Sequence, residues 1–319
     1  MGMDDTQHID YVPSFLCPLQ DGGRQGEHDC RALDWSLDGV ALPDPNSGVE
    51  RTFGVQRCTR CAMAFTDPVP SPETSALLYE DRDSNNFQSD DPPMVGTIKR
   101  LAAQRDLRKM LDLAGVPTLT SMLDYGCGNG TFAVIAAEHH RDAKVVATDY
   151  HDAEPEAIAA SKADISYRSY AELEAEQGTY DLVLCRHVLE HTYDPAETLR
   201  QLGALVSENG AILVEVPRFD SPLRHLFGRF WNGYYVPYHP LHFTLEGMAN
   251  IAARAGLDLA ADGPAEMPSM GRSLQNVLRR PYSLPLFLAG VALHPIQLLV
   301  GRISGRSLAM RVVLRRRPS

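Results

Sequence analysis

The apolar positions of IKRLAAQRDLRKMLDLAG, from about Met94, recur at helical spacing, and Gly115-Val116-Pro117 ends the run. The period then changes. SMLDYG reads as a short buried strand, followed by a glycine-rich turn and an apolar helix, TFAVIAAEHH. KVVATD is a second strand, DISYRS a weaker third, YDLVLC a fourth and GAILVEVP a fifth, with a helix from about Pro195 to Val206 before the fifth. A helix over 244–255 leads into LDLAADG, and MRVVLRRR closes the chain as a final strand. Strands alternating with helices predict an α/β fold built on a doubly wound, parallel sheet. Residues 1–72 lack this periodicity and are rich in Gly, Pro, Asp and Cys, which predicts a small loop-rich module. A polar linker over 73–93 separates it from the α/β domain at 94–319.

Composition adds an asymmetry. The 319 residues hold 30 Lys and Arg against 41 Asp and Glu, a net charge of −11. From Met267 to Ser319 there are nine Arg and no acid, so the first 266 residues carry −20 and the tail +9. An acidic body speaks against general nucleic-acid binding. Within the tail, SLPLFLAGVALHPIQLLVG carries no formal charge over 19 residues. Pro285, His294 and Pro295 favour two short apolar helices broken near His294-Pro295, in an insert at about 273–308 flanked by Arg272, Arg279, Arg280, Arg302 and Arg306. Two readings stay open: a hairpin buried against the acidic body or in a dimer, and peripheral association with an anionic membrane. The acidic start, MGMDDTQHID, does not read as a signal peptide, so the chain is expected in the cytoplasm, where stable disulfides are rare.

Two motifs carry candidate chemistry. LDYGCGNGTF places Asp124, Gly126, Gly128 and Gly130 at the carboxyl end of the first strand, where ligands of open α/β sheets bind. Asp149 ends the second strand and can accept from ribose hydroxyls. The G-x-G-x-G spacing disfavours a nicotinamide-dependent enzyme, whose fingerprint is G-x-G-x-x-G. Separately, Cys58-Thr-Arg-Cys61 is a C-x-x-C knuckle suited to two thiolates on one Zn²⁺, with Cys17 and Cys30 as candidate further ligands and His28 as a substitute for Cys30.

LDYGCGNG, VVATD, YDLVLCRHVLEH and GAILVEVP resemble the successive motifs of class I S-adenosylmethionine-dependent methyltransferases, which have a Rossmann-like seven-stranded sheet. The resemblance implies S-adenosyl-L-methionine as cofactor. It places the loop from Gly126 through Cys127 and Gly128 to Gly130 against the methionine part, Asp124 on the amino group, and Asp149, with Tyr150 after it, at the ribose. Cys185, Arg186 and His187 then lie beside the sulfonium and acceptor. The two cysteines read as packing groups rather than nucleophiles. Where many relatives carry an adenine-binding Asp after the third strand, this chain has Ser169 and Tyr170.

FGVQRCTRCAMAFTDPVPSPETSALLYED resembles the zinc-ribbon-like module that precedes the catalytic domain in a subgroup including some sugar C-methyltransferases, although Ala62 stands where a Gly is usual. This implies a sugar or other small-molecule acceptor, and a membrane-associated tail would make it a lipid-linked glycan. His187 after the fourth strand is a candidate base, and VLEHTYDP and RFWNGYYVPYHPLHF resemble acceptor-side segments, adding His191, His239 and His242 as three more candidate bases and Trp231, Tyr235 and Tyr238 as candidate pocket walls. A cofactor-binding scaffold without catalysis and, more remotely, a NAD-dependent Rossmann enzyme are the alternatives.

Overall fold

The computed structural model describes residues 9–13, 30–32, 42–43, 50–51, 53–58, 60–80, 93–173, 176–266, 268–280 and 283–317. Helix α1 (Pro93–Ala114) runs to the predicted stop at Gly115. Seven strands follow: β1 (Ser121–Tyr125), β2 (Lys144–Thr148), β3 (Ile165–Tyr167), β4 (Tyr180–Arg186), β5 (Val206–Pro217), β6 (Leu257–Ala265) and β7 (Ala309–Arg316). They form one sheet in the order β3-β2-β1-β4-β5-β7-β6. The first five are parallel, and β7 is antiparallel to both β5 and β6. Strand order reverses between β1 and β4, which opens a crevice at their carboxyl ends.

Helices α2 (Thr131–His139), α3 (Glu156–Ala159), α4 (Pro195–Leu205) and α5 (Leu245–Arg254) connect the strands. Asp194 caps α4 by accepting from the Glu197 N–H, and Thr244 caps α5 through the Gly247 N–H. One face of the sheet packs on α1 and α2 through Met110, Met122, Ile135 and Leu182. The other packs on α4 and α5 through Leu199, Leu202, Met248 and Ile251. Strands covered on both faces read as near-continuous apolar runs, which is why β4 and β5 stood out in the sequence.

Within those runs sits a buried ion cluster. Glu215 of β5 is fully buried and takes Arg186 Nη2 at 2.8 Å and Arg311 Nε of β7 at 2.6 Å. Arg311 continues to Asp106 of α1 at 2.6 Å. These contacts tie β4, β5, β7 and α1 together at one point.

The N-terminal strands do not stand apart from the α/β domain. Gly54–Cys58 and Ala64–Asp67 pair antiparallel, Cys30–Ala32 joins one edge, and Leu241–His242 joins the other, opposite Phe65 and Ala64. Cys58, Cys61, Met63 and Phe65 belong to the same apolar cluster as Val183 and Met248. Cys58 and Cys61 are fully buried at the hairpin, with the Cys61 N–H donating to Cys58 Sγ at 3.4 Å. Ala62 has φ 58°, the left-handed conformation that explains why glycine is usual there. The Cys30 backbone lies opposite Cys58 across the strand pair, whereas Cys17 and His28 fall outside the described residues.

The tail corrects one expectation. Instead of two helices broken at His294-Pro295, α6 (Met270–Leu278) is followed by a continuous α7 (Leu284–Ser304) that passes through Pro295. A single interior proline removes one backbone donor, and the helix carries on past it. Gly271 and Gly290 let α6 and α7 touch: a Cβ on Gly271 would fall 2.4 Å from the Leu286 carbonyl oxygen. The hairpin is not buried. Along α7, only Gly290 and Gln297 are buried, while Leu284, Leu288, Val291, Ile296, Leu299 and Ile303 are exposed. Among the described residues, α7 is the helix long and apolar enough to cross a membrane.

Removing the Glu215 carboxylate leaves Arg186 and Arg311 buried without their shared anion. Glu215→Ala is expected to cost about 3–5 kcal/mol of folding stability, measured by urea denaturation; a loss within that of an ordinary surface change would show that the cluster does not hold the strands.

Candidate functional site

The glycine loop crosses the carboxyl end of β1. The Gly126 and Cys127 N–H groups both donate to the Thr148 carbonyl at 2.9 Å, which pins the loop to β2. Gly126, Gly128 and Gly130 all have positive φ, but their surroundings differ. A Cβ on Gly126 would strike Val188 at 2.2 Å, and one on Gly130 would strike Ile158 at 2.4 Å, whereas Gly128 has nothing within 4 Å. Two glycines thus serve packing, and the third borders open space where a ligand can approach the backbone.

Beneath the loop, Asp124 is buried and its Oδ2 has no hydrogen-bond partner. Burial pushes its carboxyl up to about 6, against the pull of Arg186 and with Asp149 adding to the rise. Asp149 accepts the Gly128 N–H at 2.7 Å on Oδ2 and the Tyr150 N–H at 2.9 Å on Oδ1. A half-open glycine cradle, an orphaned buried carboxylate oxygen and an acid at the β2 end fit the amino-acid and ribose parts of S-adenosylmethionine. The Tyr125 and Tyr170 rings pack 4.9 Å apart on the same side of the sheet. Burial raises both the Cys127 and the Cys185 thiols, which keeps them protonated and suits packing rather than attack.

Next to this crevice, the chain after β4 makes a charged bend. His187 has φ 53° and sits between two carboxylates, with Nδ1 3.1 Å from Glu190 Oε1 and Nε2 3.2 Å from Glu215 Oε1. Burial alone would depress this imidazole, but the two carboxylates outweigh it and lift it to about 9. Burial would raise Glu215, yet Arg186, His187 and Arg311 hold it well below the usual range. At neutral pH His187 is therefore a cation, hydrogen bonded to Glu190 through Nδ1 and ion-paired with Glu215 through Nε2, and unable to accept a proton. Arg186 also lies over the Phe132 ring at 4.0 Å.

A cavity of about 220 Å³ opens beyond His187 and Glu215, with Asn232, Tyr235, His239 and Arg272 among its walls. Of the other three candidate bases, His239 lines it and His191 lies beside His239, ring centroids 4.7 Å apart. Burial and the neighbouring His191 hold His239 well below the usual range, hence neutral. His242 is placed elsewhere. It is buried in the strand pair with Ala64, hydrogen bonds Thr66 Oγ1 at 3.0 Å and stacks on Phe219. Burial and Arg224 drop it to about 3, so it is a neutral packing group outside the cavity walls. Trp231 is likewise buried, edge-on to Tyr234.

Sequence reasoning did not pick out Glu190, Glu215, Asn232, Arg272 or Arg311. For Glu215 and Arg311 a signal was present: each is a lone charge inside an apolar strand, and a buried charge needs a partner. Arg272 was read only as a flank of the insert, whereas it walls the cavity from α6.

Residues 91–261 match the family model described as "Methyltransferase domain". A ubiquinone biosynthesis O-methyltransferase of Pseudomonas paraeruginosa is 35% identical over 115 residues, covering 34% of this chain and 48% of that protein. A "Probable S-adenosylmethionine-dependent methyltransferase" of Mycolicibacterium smegmatis is 30% identical over 147 residues, 43% of this chain and 52% of that one. The chain thus spans about half the length of the curated relatives it matches. Among solved structures, the 1,6-didemethyltoxoflavin-N1-methyltransferase of Burkholderia thailandensis aligns with TM-score 0.49 at 17% identity, over 80% of this chain and 96% of that one. With more than half its length in the family model, and with a glycine cradle and buried acid that fit the cofactor, the chain belongs to the S-adenosylmethionine-dependent methyltransferases.

Proposed function

We propose that this protein transfers a methyl group from S-adenosylmethionine to a hydroxyl oxygen of a small, lipid-linked acceptor at the cytoplasmic face of a membrane. The observation that carries the reading is the meeting of two features in α6 and α7. Arg272 and Ser269 wall the cavity beside His187, and the helix packed on α6 exposes an apolar stripe. Bound cofactor supplies an electrophilic methyl carbon on a positively charged sulfur whose departure leaves a neutral thioether. Asp124 holds the amino end, and the backbone at Gly128 lets the cofactor lie close to the sheet. Arg186 and His187, fixed by Glu215, keep the floor between cofactor and acceptor rigid, so that alignment rather than acid catalysis does most of the work. His191 and His239 handle the acceptor oxygen, and Tyr235 closes over it.

The membrane part rests on charge and shape together. Leu284, Leu288, Val291, Leu299 and Ile303 present apolar surface, and Arg272, Arg279, Arg280, Arg302 and Arg306 are exposed around it, with no acid in this part of the chain. Such a surface complements anionic lipid, each Arg adding roughly 1 kcal/mol at most. The relative named as a ubiquinone biosynthesis O-methyltransferase supports an oxygen acceptor. Cys58 and Cys61, with Cys30 and Cys17, are read as a structural zinc site that closes the N-terminal hairpin, the knuckle bond to Cys58 Sγ being its local support.

Three outcomes are expected. Affinity for S-adenosylhomocysteine, measured calorimetrically, should fall as pH is lowered through about 6, because Asp124 takes up a proton and loses the charge that holds the amino group. Asp124→Asn should bind about ten- to a hundredfold more weakly and lose that pH dependence; an unchanged profile would remove Asp124 from the cofactor site. Co-sedimentation with anionic liposomes should be strong at low salt and weaken in Leu288→Asp/Leu299→Asp, with labelled methyl groups entering the lipid pool of cell extracts; no binding at low salt excludes the membrane reading. Metal analysis should find zinc that Cys58→Ser/Cys61→Ser loses; zinc-free wild-type protein would end the cysteine-site reading.

A further inference from the structure

Glu190, His191 and His239 each offer one donor atom, and the three atoms lie within 4.8 Å of one another. They come from separate places, the bend after β4 and the loop before α5, so their convergence is tertiary rather than a sequence motif. The hydrogen bonds around them assign the donor atoms. His191 Nδ1 lies 2.8 Å from the Tyr238 carbonyl oxygen, and His239 Nδ1 lies 3.1 Å from the Gly233 carbonyl oxygen. A carbonyl only accepts, so both Nδ1 atoms carry a proton, and in the neutral imidazole the lone pair then sits on Nε2. Glu190 is buried, its Oε1 is held by His187, and its Oε2 is buried without a hydrogen-bond partner.

We infer that Glu190, His191 and His239 form a binding site for a divalent transition-metal ion of the Zn²⁺ class. Two neutral imidazoles and one carboxylate are the donor set of open catalytic sites, which leave a coordination position for substrate oxygen. Ligating histidines typically donate their other N–H to a backbone carbonyl, as both do here, and ligating carboxylates are themselves hydrogen bonded, as Glu190 is by His187. Donors in a tetrahedral zinc site sit about 3.3 Å apart, so the three groups need only draw together by small ring and carboxylate rotations. An ion here also accounts for the orphaned Oε2.

His239 is a cavity wall, so the ion borders the acceptor space. Resting on the methyl-transfer reading, its role is to ligate the acceptor hydroxyl. The O–H proton passes to solvent water, the oxygen lone pair forms the new C–O bond to the methyl carbon, and the C–S bond breaks with its electrons on sulfur. The ion thereby lowers the energy of the oxyanion without a protein base.

Chelator-stripped wild-type protein titrated with Co²⁺ separates this site from the cysteines, because only thiolate ligands give an intense sulfur-to-metal charge-transfer band. Wild type is expected to bind one equivalent with visible d–d bands and no charge-transfer intensity, beyond any charge-transfer-bearing equivalent taken up by the cysteines. Glu190→Gln and His191→Ala should each lose that equivalent while retaining far-ultraviolet circular dichroism and S-adenosylhomocysteine binding. Equal stoichiometry in wild type and both variants overturns the site. If the buried Glu190→Gln fails to fold, the partly exposed His191 variant still decides the matter. Metal binding with no methyl transfer to any lipid pool would leave the site standing and defeat the acceptor reading instead.

Discussion

The cavity wall at His187 and the guanidinium beside Asp124 share one constraint, a Glu215 carboxylate kept ionised in the middle of the sheet. An isolated buried carboxylate would take up a proton, but here two guanidinium groups and an imidazolium surround it. The arrangement works in both directions. The cations hold Glu215 charged, and Glu215 dictates where Arg186 and His187 point. Because Arg186 also lies in the field of Asp124, the same cluster tunes the carboxylate beneath the glycine loop. The carboxylate under the glycine loop and the cavity wall at His187 are thus two sides of one electrostatic unit, anchored to α1 through Asp106.

The antiparallel β7 has a second function besides completing the sheet. It carries Arg311 into the cluster, and it is the return leg of the excursion that includes α6 and α7. The segment whose apolar face is exposed is therefore held at both ends by strands of the catalytic sheet, β6 and β7, which are paired with each other along their length. Movement of the hairpin is confined to the two helices, and the cavity residues Ser269 and Arg272 sit at its first turns.

Much of the fold was legible in the residues because the signals are local. Strand and helix periods gave β1 to β7 and their connections, and the glycines with Asp124 and Asp149 marked the ligand end of the sheet. What escaped was tertiary. His242 looks chemically equivalent to His239 in the sequence, three positions along the same loop. Only strand pairing with Ala64 and the stack on Phe219 separate a packing histidine from a cavity histidine. Glu190 looked like a charged loop residue until the fold brought His239 beside it. The proline rule misread α7 for a physical reason: Pro295 costs one hydrogen bond, and a 21-residue helix packed through glycines on its neighbour absorbs that loss.

The strand Leu241–His242 has a consequence for how the chain is made. Its partners, Phe65 and Ala64, precede it by most of the sheet, and the Thr66–His242 hydrogen bond spans 176 residues. On a ribosome, the N-terminal hairpin emerges long before its edge partner exists, and must wait with an open edge while the first five sheet strands are synthesised. Contacts of such long sequence separation form late. A hairpin made well before its edge partner is accordingly among the last to be completed, and until then its open edge awaits the fourth strand.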